Sequence, residues 1–202
     1  MKLHSNFSAL IVCIALILPH HSQDAQTAFD KCRYVRPADI RDKKAPTFQA
    51  YPVSNPPLTG SPKLDLKSSP TARRYRTLLS EEVAKGPNFA GHYRVAIWGC
   101  GTSCANFAIV NLATGRVIAP FDAYATGTVY FDMGDGKFFP DSESESDSFG
   151  FRKDSKLFMI LGDLNEDENR EAAFYYVLEG ERLRLIHSTP VQKDCENLRG
   201  KP

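Results

Sequence analysis

The sequence predicts a mainly β fold of the α+β class. Its expected form is an antiparallel meander of about seven strands, curled into a partial barrel or split into a sandwich. One packed helix at about residues 70–85 and an extended proline-rich N-terminal arm complete it. Three observations lead there. Apolar residues recur every second position from Phe89 onward, the period of a half-buried strand. Short turn-forming stretches separate these runs, as hairpins require. Only one segment carries the three- and four-residue spacing of a helix face.

The first segment is an export signal in form. Lys2 precedes an apolar run from Phe7 to Leu18 in which Ser8 is the one polar side chain, Pro19 breaks it, and small residues follow at Ala25, Thr27 and Ala28. A membrane-crossing helix needs about 20 apolar residues, so a run of this length fits the core of a cleavable signal peptide instead. Residues 1–28 are therefore expected to be a signal peptide, residues 29–68 the arm, and residues 69–202 a single β-rich domain. No other segment is long and apolar enough to anchor the mature form in a membrane. Cys13 lies inside the apolar run, between Val12 and Ile14, which is not the setting of a lipid-anchoring cysteine.

Between Pro37 and Pro70 the chain carries Pro37, Pro46, Pro52, Pro56, Pro57, Pro62 and Pro70. Each ring fixes φ and removes an amide donor, which disfavours helix and central strand. An arm laid over the domain is expected, with Phe48, Tyr51, Val53, Leu58, Leu64 and Leu66 as its anchors. A helix follows. Ser69 can cap it, Pro70 suits its first position, and Gly86-Pro87 ends it. Ala72, Tyr75, Leu79 and Val83 form the packing face. Arg73, Arg74, Arg76, Glu81 and Glu82 are then a solvated face, with an anion site as the competing reading of the arginines.

The strands are expected at Tyr93–Trp98, Ala105–Asn111, Arg116–Ala119, Thr126–Phe131, Lys156–Leu161, Ala172–Leu178 and Arg182–His187. Thr114-Gly115, Gly134-Asp135-Gly136 and Glu179-Gly180-Glu181 supply turns of the types hairpins use. The serine–acid stretch from Asp141 to Asp147 has low complexity and like charges, and is expected to be a mobile loop.

Composition narrows the chemistry. The chain has 25 Lys+Arg against 24 Asp+Glu, and loss of the signal peptide takes one of each sign. With no basic stripe there is no electrostatic case for nucleic acid as a partner. Of five histidines, only His92 and His187 lie outside the signal peptide, which excludes a three-histidine metal site. Cys13 also leaves, so an odd cysteine count becomes an even one: Cys32, Cys100, Cys104 and Cys195. In an oxidising compartment these read as two disulfides with three connectivities. Cys100–Cys104 with Cys32–Cys195 is the favoured one, the first stapling a glycine turn and the second tying the two chain ends. Zinc is the rival for a C-x3-C pair, and needs further ligands that only His92, His187 and the distant cysteines supply. A redox thiol pair prefers C-x-x-C spacing at a helix start.

The richest stretch is Asn88–Cys104, with His92, Tyr93, the single tryptophan Trp98, Cys100 and Cys104. Its FAGHY strand, followed by WGCGTxC and the Thr114-Gly115 hairpin, resembles a group of uncharacterised exported bacterial proteins over roughly residues 70–120. That resemblance implies bacterial origin and export, and supplies no activity. Packing of Tyr93 and Trp98 in the core competes with a binding role for His92, Tyr93 and Trp98 on a stapled loop. Asp163, Asn165, Asp167 and Glu171 are spaced like ligands of a calcium loop, although Glu168 stands where the turn glycine belongs and Phe174 where the last ligand belongs. The function expected is an exported, disulfide-stabilised binding or accessory domain for a protein or cell-envelope ligand. The alternatives are a periplasmic hydrolase using His92 and a calcium-stabilised structural domain.

Overall fold

The computed structural model describes residues 34–35, 42–54, 63–101, 104–118, 125–127, 130–131, 139, 141–146, 148–165, 167 and 170–191. The expected signal peptide, Cys32, Cys195, Leu58 and the Gly134-Asp135-Gly136 turn lie outside these residues. Among the described residues the fold is mostly β, in chain order β1 (Tyr34–Val35), helices α1 (Pro70–Arg74) and α2 (Arg76–Ala84), then nine further strands. These are β2 (Tyr93–Gly101), β3 (Cys104–Asn111), β4 (Val117–Ile118), β5 (Ala125–Gly127), β6 (Tyr130–Phe131), β7 (Phe149–Phe151), β8 (Leu157–Leu164), β9 (Glu171–Glu179) and β10 (Arg182–Pro190).

The helix begins where its cap predicts. Ser69 Oγ accepts from the Ala72 amide at 3.0 Å, and Pro70 occupies the first turn, where a missing donor costs nothing. Tyr75 interrupts the expected single helix into α1 and α2, and Gly86, at φ +79°, turns the chain out of it. Ala72, Leu79 and Val83 are buried as a stripe.

β2, β3 and β4 form one antiparallel half, and β7 to β10 the other. Short β5 joins them, pairing Cys104–Asn106 of β3 on one side and Asp163–Leu164 of β8 on the other. The inner faces of the halves share one core. Phe107 of β3 meets Phe158 of β8 with ring centroids 5.0 Å apart, and Phe149 of β7 at 5.2 Å. Period-two alternation then fills the outer faces. Ala96, Ala108 and Val110 pack under the helices. Leu157, Met159, Leu161, Ala173 and Tyr175 pack under Phe48 of the arm.

The arm is docked through residues 42–54. Buried Ser155 places its hydroxyl 2.9 Å from the Phe48 carbonyl and 3.0 Å from that of Tyr51, carbonyls that also accept from the Tyr51 and Lys156 amides, so the buried hydroxyl is itself satisfied. Leu64 is buried as expected, whereas Leu66 is 40% exposed and anchors nothing. The expected Thr126–Phe131 strand is two: β5 belongs to the main sheet, and β6 pairs with β1 in parallel. Strand β7 was not foreseen, since its Phe-Gly-Phe is too short to show a period.

The serine–acid stretch is ordered by its own alternation. Ser142, Ser144 and Ser146 each accept, through Oγ, from the amide two residues on, at 3.0, 3.1 and 3.3 Å. Ser144 and Ser148 are buried, while Glu143 and Glu145 face solvent. The serines supply the hydrogen bonds a strand partner would otherwise give, so the expected loop carries a hydrogen-bonded ladder over its described residues.

Candidate functional site

The two open ends of the main sheet are β10 and β2, and they are finished differently. At β10 the register slips between Leu185 and His187, and the strand ends at Pro190. Arg182 and Arg184 stand exposed along it. A bulge, charges and proline are the means by which a free edge resists pairing.

At β2 only the first part of the edge is covered. Tyr93 exchanges both backbone hydrogen bonds with Phe89. Next, the Asn88 carboxamide mimics a strand: its Oδ1 accepts from the Val95 amide at 2.7 Å, and its Nδ2 donates to the Val95 carbonyl at 3.1 Å. Alternation along an antiparallel strand turns the amides and carbonyls of Ile97 and Gly99 to the same side as those of Tyr93 and Val95. Among the described residues nothing pairs with them there. Gly99, Cys100 and Gly101 are exposed.

Cys100 and Cys104 are joined in a disulfide across the hairpin tip, with Cα atoms 5.2 Å apart. The register shift between Gly99 and Gly101 lies beside it. The staple holds the end of β2 onto β3 without covering the edge.

Beside this edge runs a cleft of about 410 Å³, lined by Val95, Ile97 and Phe151 on its apolar side and by Arg94, Glu143 and Glu145 on its polar side. Glu82, expected on a solvated helix face, instead holds Arg94 through two bonds of 3.0 and 2.7 Å. Burial pushes the Glu82 carboxyl up, but the hydrogen bonds and charges of Lys85 and Arg94 outweigh it and keep it below its ordinary value. Both cations of the cleft thus share one carboxylate, and with Glu143 and Glu145 the lining carries three carboxylates against two cations. The carboxylates of Glu143 and Glu145 are the charges it offers outward.

Of the predicted binding residues, the structure keeps His92 and Tyr93 together and sets Trp98 apart. His92 packs against Tyr93, the rings tilted by 32° with centroids 4.4 Å apart, and both line a small pocket with Val53, Ala90, Lys156 and Leu178. Burial holds its imidazole below the ordinary value, so it is neutral at pH 7, and that pocket lining includes no carboxylate, serine or cysteine. Tyr93 is buried, its hydroxyl donating to the Gly180 carbonyl at 3.0 Å. Trp98 lies on the other face of β2, against Tyr75 at 4.6 Å.

Asp163 and Glu171 oppose each other across β8 and β9, and Asn165 takes a left-handed φ of +60° in the connection. All four residues of the calcium-like spacing already have interaction partners. Among the described residues no three His, Cys, Asp or Glu side chains gather in a metal-holding group.

A polar cluster that sequence spacing could not reveal fastens the arm. His187 Nε2 lies 2.6 Å from Asp42 Oδ2, and Thr189 Oγ1 lies 3.3 Å from the same nitrogen. A nucleophilic triad uses the two ring nitrogens for different partners, so this geometry is a clasp. The Lys44 amide and then His187 hold the Asp42 carboxyl below its ordinary value. A depressed folded value makes this contribution present above the unfolded carboxylate range and lost as pH falls through the folded one. Exchange of the Val53 amide, bonded to Asp154, is therefore expected to quicken, beyond its intrinsic pH dependence, below about pH 4. Asp42→Asn should abolish that extra acid dependence, and an unchanged acid profile would rule the clasp out.

No protein-family model, curated protein or solved structure matches the chain.

Proposed function

We propose that the chain is an exported, disulfide-stabilised binding or accessory domain of the bacterial cell envelope, and that it engages its partner through the β2 edge and the stapled β2–β3 hairpin. The observation that carries this reading is the contrast between the two sheet ends: β10 is blunted, while Ile97 and Gly99 of β2 face outward with no partner among the described residues. An open edge is a template for association, and a chain that keeps one while blunting the other has a use for it. The disulfide supports binding because a hairpin already held in shape loses less conformational entropy when it meets a partner. The apolar run at Phe7–Leu18 and the even cysteine count of the remaining chain support export.

Photo-crosslinking in producing cells tests the reading. A benzophenone side chain at position 99 or 101 is expected to yield a discrete adduct, and one at position 184 on β10 none. Adducts of equal yield from both edges, or none from either, would refute the hairpin as the recognition element. Recovery of the protein in the cytosol with a free Cys100 thiol would refute export.

A further inference from the structure

Resting on the hairpin reading, we infer that the partner is a lysine- or arginine-bearing extended peptide segment that adds to β2 as a further strand. Its side chains would lie in the cleft between β2 and the serine ladder.

The backbone argument comes first. Ile97 and Gly99 each offer one donor and one acceptor outward, which an incoming strand can match with up to four main-chain hydrogen bonds. Such strand addition draws affinity from the backbone and specificity from pockets for alternate side chains. Asn88 shows that this edge accepts such pairing, since its carboxamide already occupies the two bonding positions of Val95. The glycine at 99 presents no side chain on its own strand, and no described atom lies within 4 Å of where its Cβ would be. A strand can therefore approach closely there.

The charge argument selects the peptide. The cleft wall facing β2 carries Glu143 and Glu145, held outward by the buried serines of the ladder. Glu143 also accepts from the Lys153 amide at 3.2 Å, which fixes its position, and Arg152, itself bonded twice to Asp154, lies within its electrostatic reach. Arg94 and Lys85, the cations on the same cleft, share the single carboxylate of Glu82, so the lining as a whole carries an excess of one negative charge, three carboxylates against two cations. An incoming strand with basic residues at alternate positions meets carboxylates, and one with acidic residues meets repulsion. A second copy pairing through its own β2 would bring its Glu143 and Glu145 to the same junction, which disfavours self-association. Ile97 and Phe151 supply apolar surface for the methylene stems of the basic side chains.

The test uses the oxidised mature chain and two synthetic heptapeptides with blocked ends, Thr-Lys-Val-Lys-Thr-Lys-Val and its glutamate counterpart. The lysine peptide is expected to bind, to slow hydrogen exchange at the Ile97 and Gly99 amides, and to weaken as salt screens the contact. The glutamate peptide is expected to bind at least tenfold more weakly. Glu143→Gln with Glu145→Gln should weaken the lysine peptide by about three- to tenfold, the size expected of two exposed ion pairs. The glutamines keep the acceptor that meets Lys153, so the ladder should survive. Equal binding of both peptides, or binding without protection at Ile97 and Gly99, would overturn the inference. So would a concentration-dependent dimer that protects these amides with no peptide present. Crosslinking at positions 99 or 101 together with any of these results would leave the hairpin reading standing and remove only the basic-strand partner.

Discussion

Replacing Phe158 with alanine is expected to destabilise the domain by about 3–5 kcal/mol. The ring is fully buried on β8. It meets Phe89 at 5.7 Å, Phe107 at 5.0 Å, Phe149 at 6.0 Å and Phe151 at 6.1 Å between centroids. These neighbours come from both halves of the sheet, so truncation removes the side chain that most directly joins them. Neighbouring rings are too stiff to collapse fully into the space, which puts the cost at the upper end of aromatic truncations. A whole domain is stable by only about 5–15 kcal/mol, so the variant should be marginal at 37 °C. Phe158→Leu keeps most of the volume and should cost no more than about 1.5 kcal/mol. Urea unfolding of the three proteins measures this, and a loss below 1 kcal/mol for the alanine variant would mean that the halves do not share a core.

The second large effect is expected at Gly115. Its φ of +75° is strained for any side chain, and a Cβ there would lie 2.1 Å from the Lys63 carbonyl oxygen and 3.1 Å from the Asp65 amide. The obstacle is backbone and cannot swing aside. The Asp65 amide donates to the Gly115 carbonyl at 2.8 Å, so displacing residues 63–65 breaks that bond and unseats buried Leu64. Gly115→Ala should therefore cost about 2–4 kcal/mol, beyond the 1–2 kcal/mol of left-handed strain alone. Gly180 is the control. Its φ is +60°, yet nothing lies within 4 Å of its Cβ position, so Gly180→Ala should cost only the strain. At about 2–4 °C per kcal/mol for a chain of this size, Gly115→Ala should melt several degrees below Gly180→Ala. Equal melting temperatures would show that residues 63–65 are not docked on the turn.

Some of this was legible in single residues. Ser69-Pro70 announced a helix start because a cap depends on groups three residues apart. The C-x3-C spacing permitted a disulfide because both cysteines sit on one hairpin. Other readings failed for equally physical reasons. Low complexity and like charges from Asp141 to Asp147 suggested only a mobile loop and left the ladder unseen, yet serine at every second position is also the pattern by which each hydroxyl accepts the amide two residues on. Glu82 was assigned to solvent by its helix face, and its partner Arg94 is on a strand twelve residues later. His92, Tyr93 and Trp98 looked like one cluster because they are close in sequence. A strand sends adjacent side chains to opposite faces, and here that places Trp98 under the helices.

The sequence by itself determined the strand-rich class, the helix with its cap, most of the strand positions and the stapled hairpin. Each of these follows from interactions within a few residues, which a linear reading can see. Tertiary structure alone decided that the sheet folds over a shared aromatic core and that Asp42 clasps His187. It alone decided that, among the described residues, β2 and not β10 keeps an open edge beside two carboxylates. These depend on which distant segments meet, and residues with the same local pattern become core, clasp or free edge according to what packs against them.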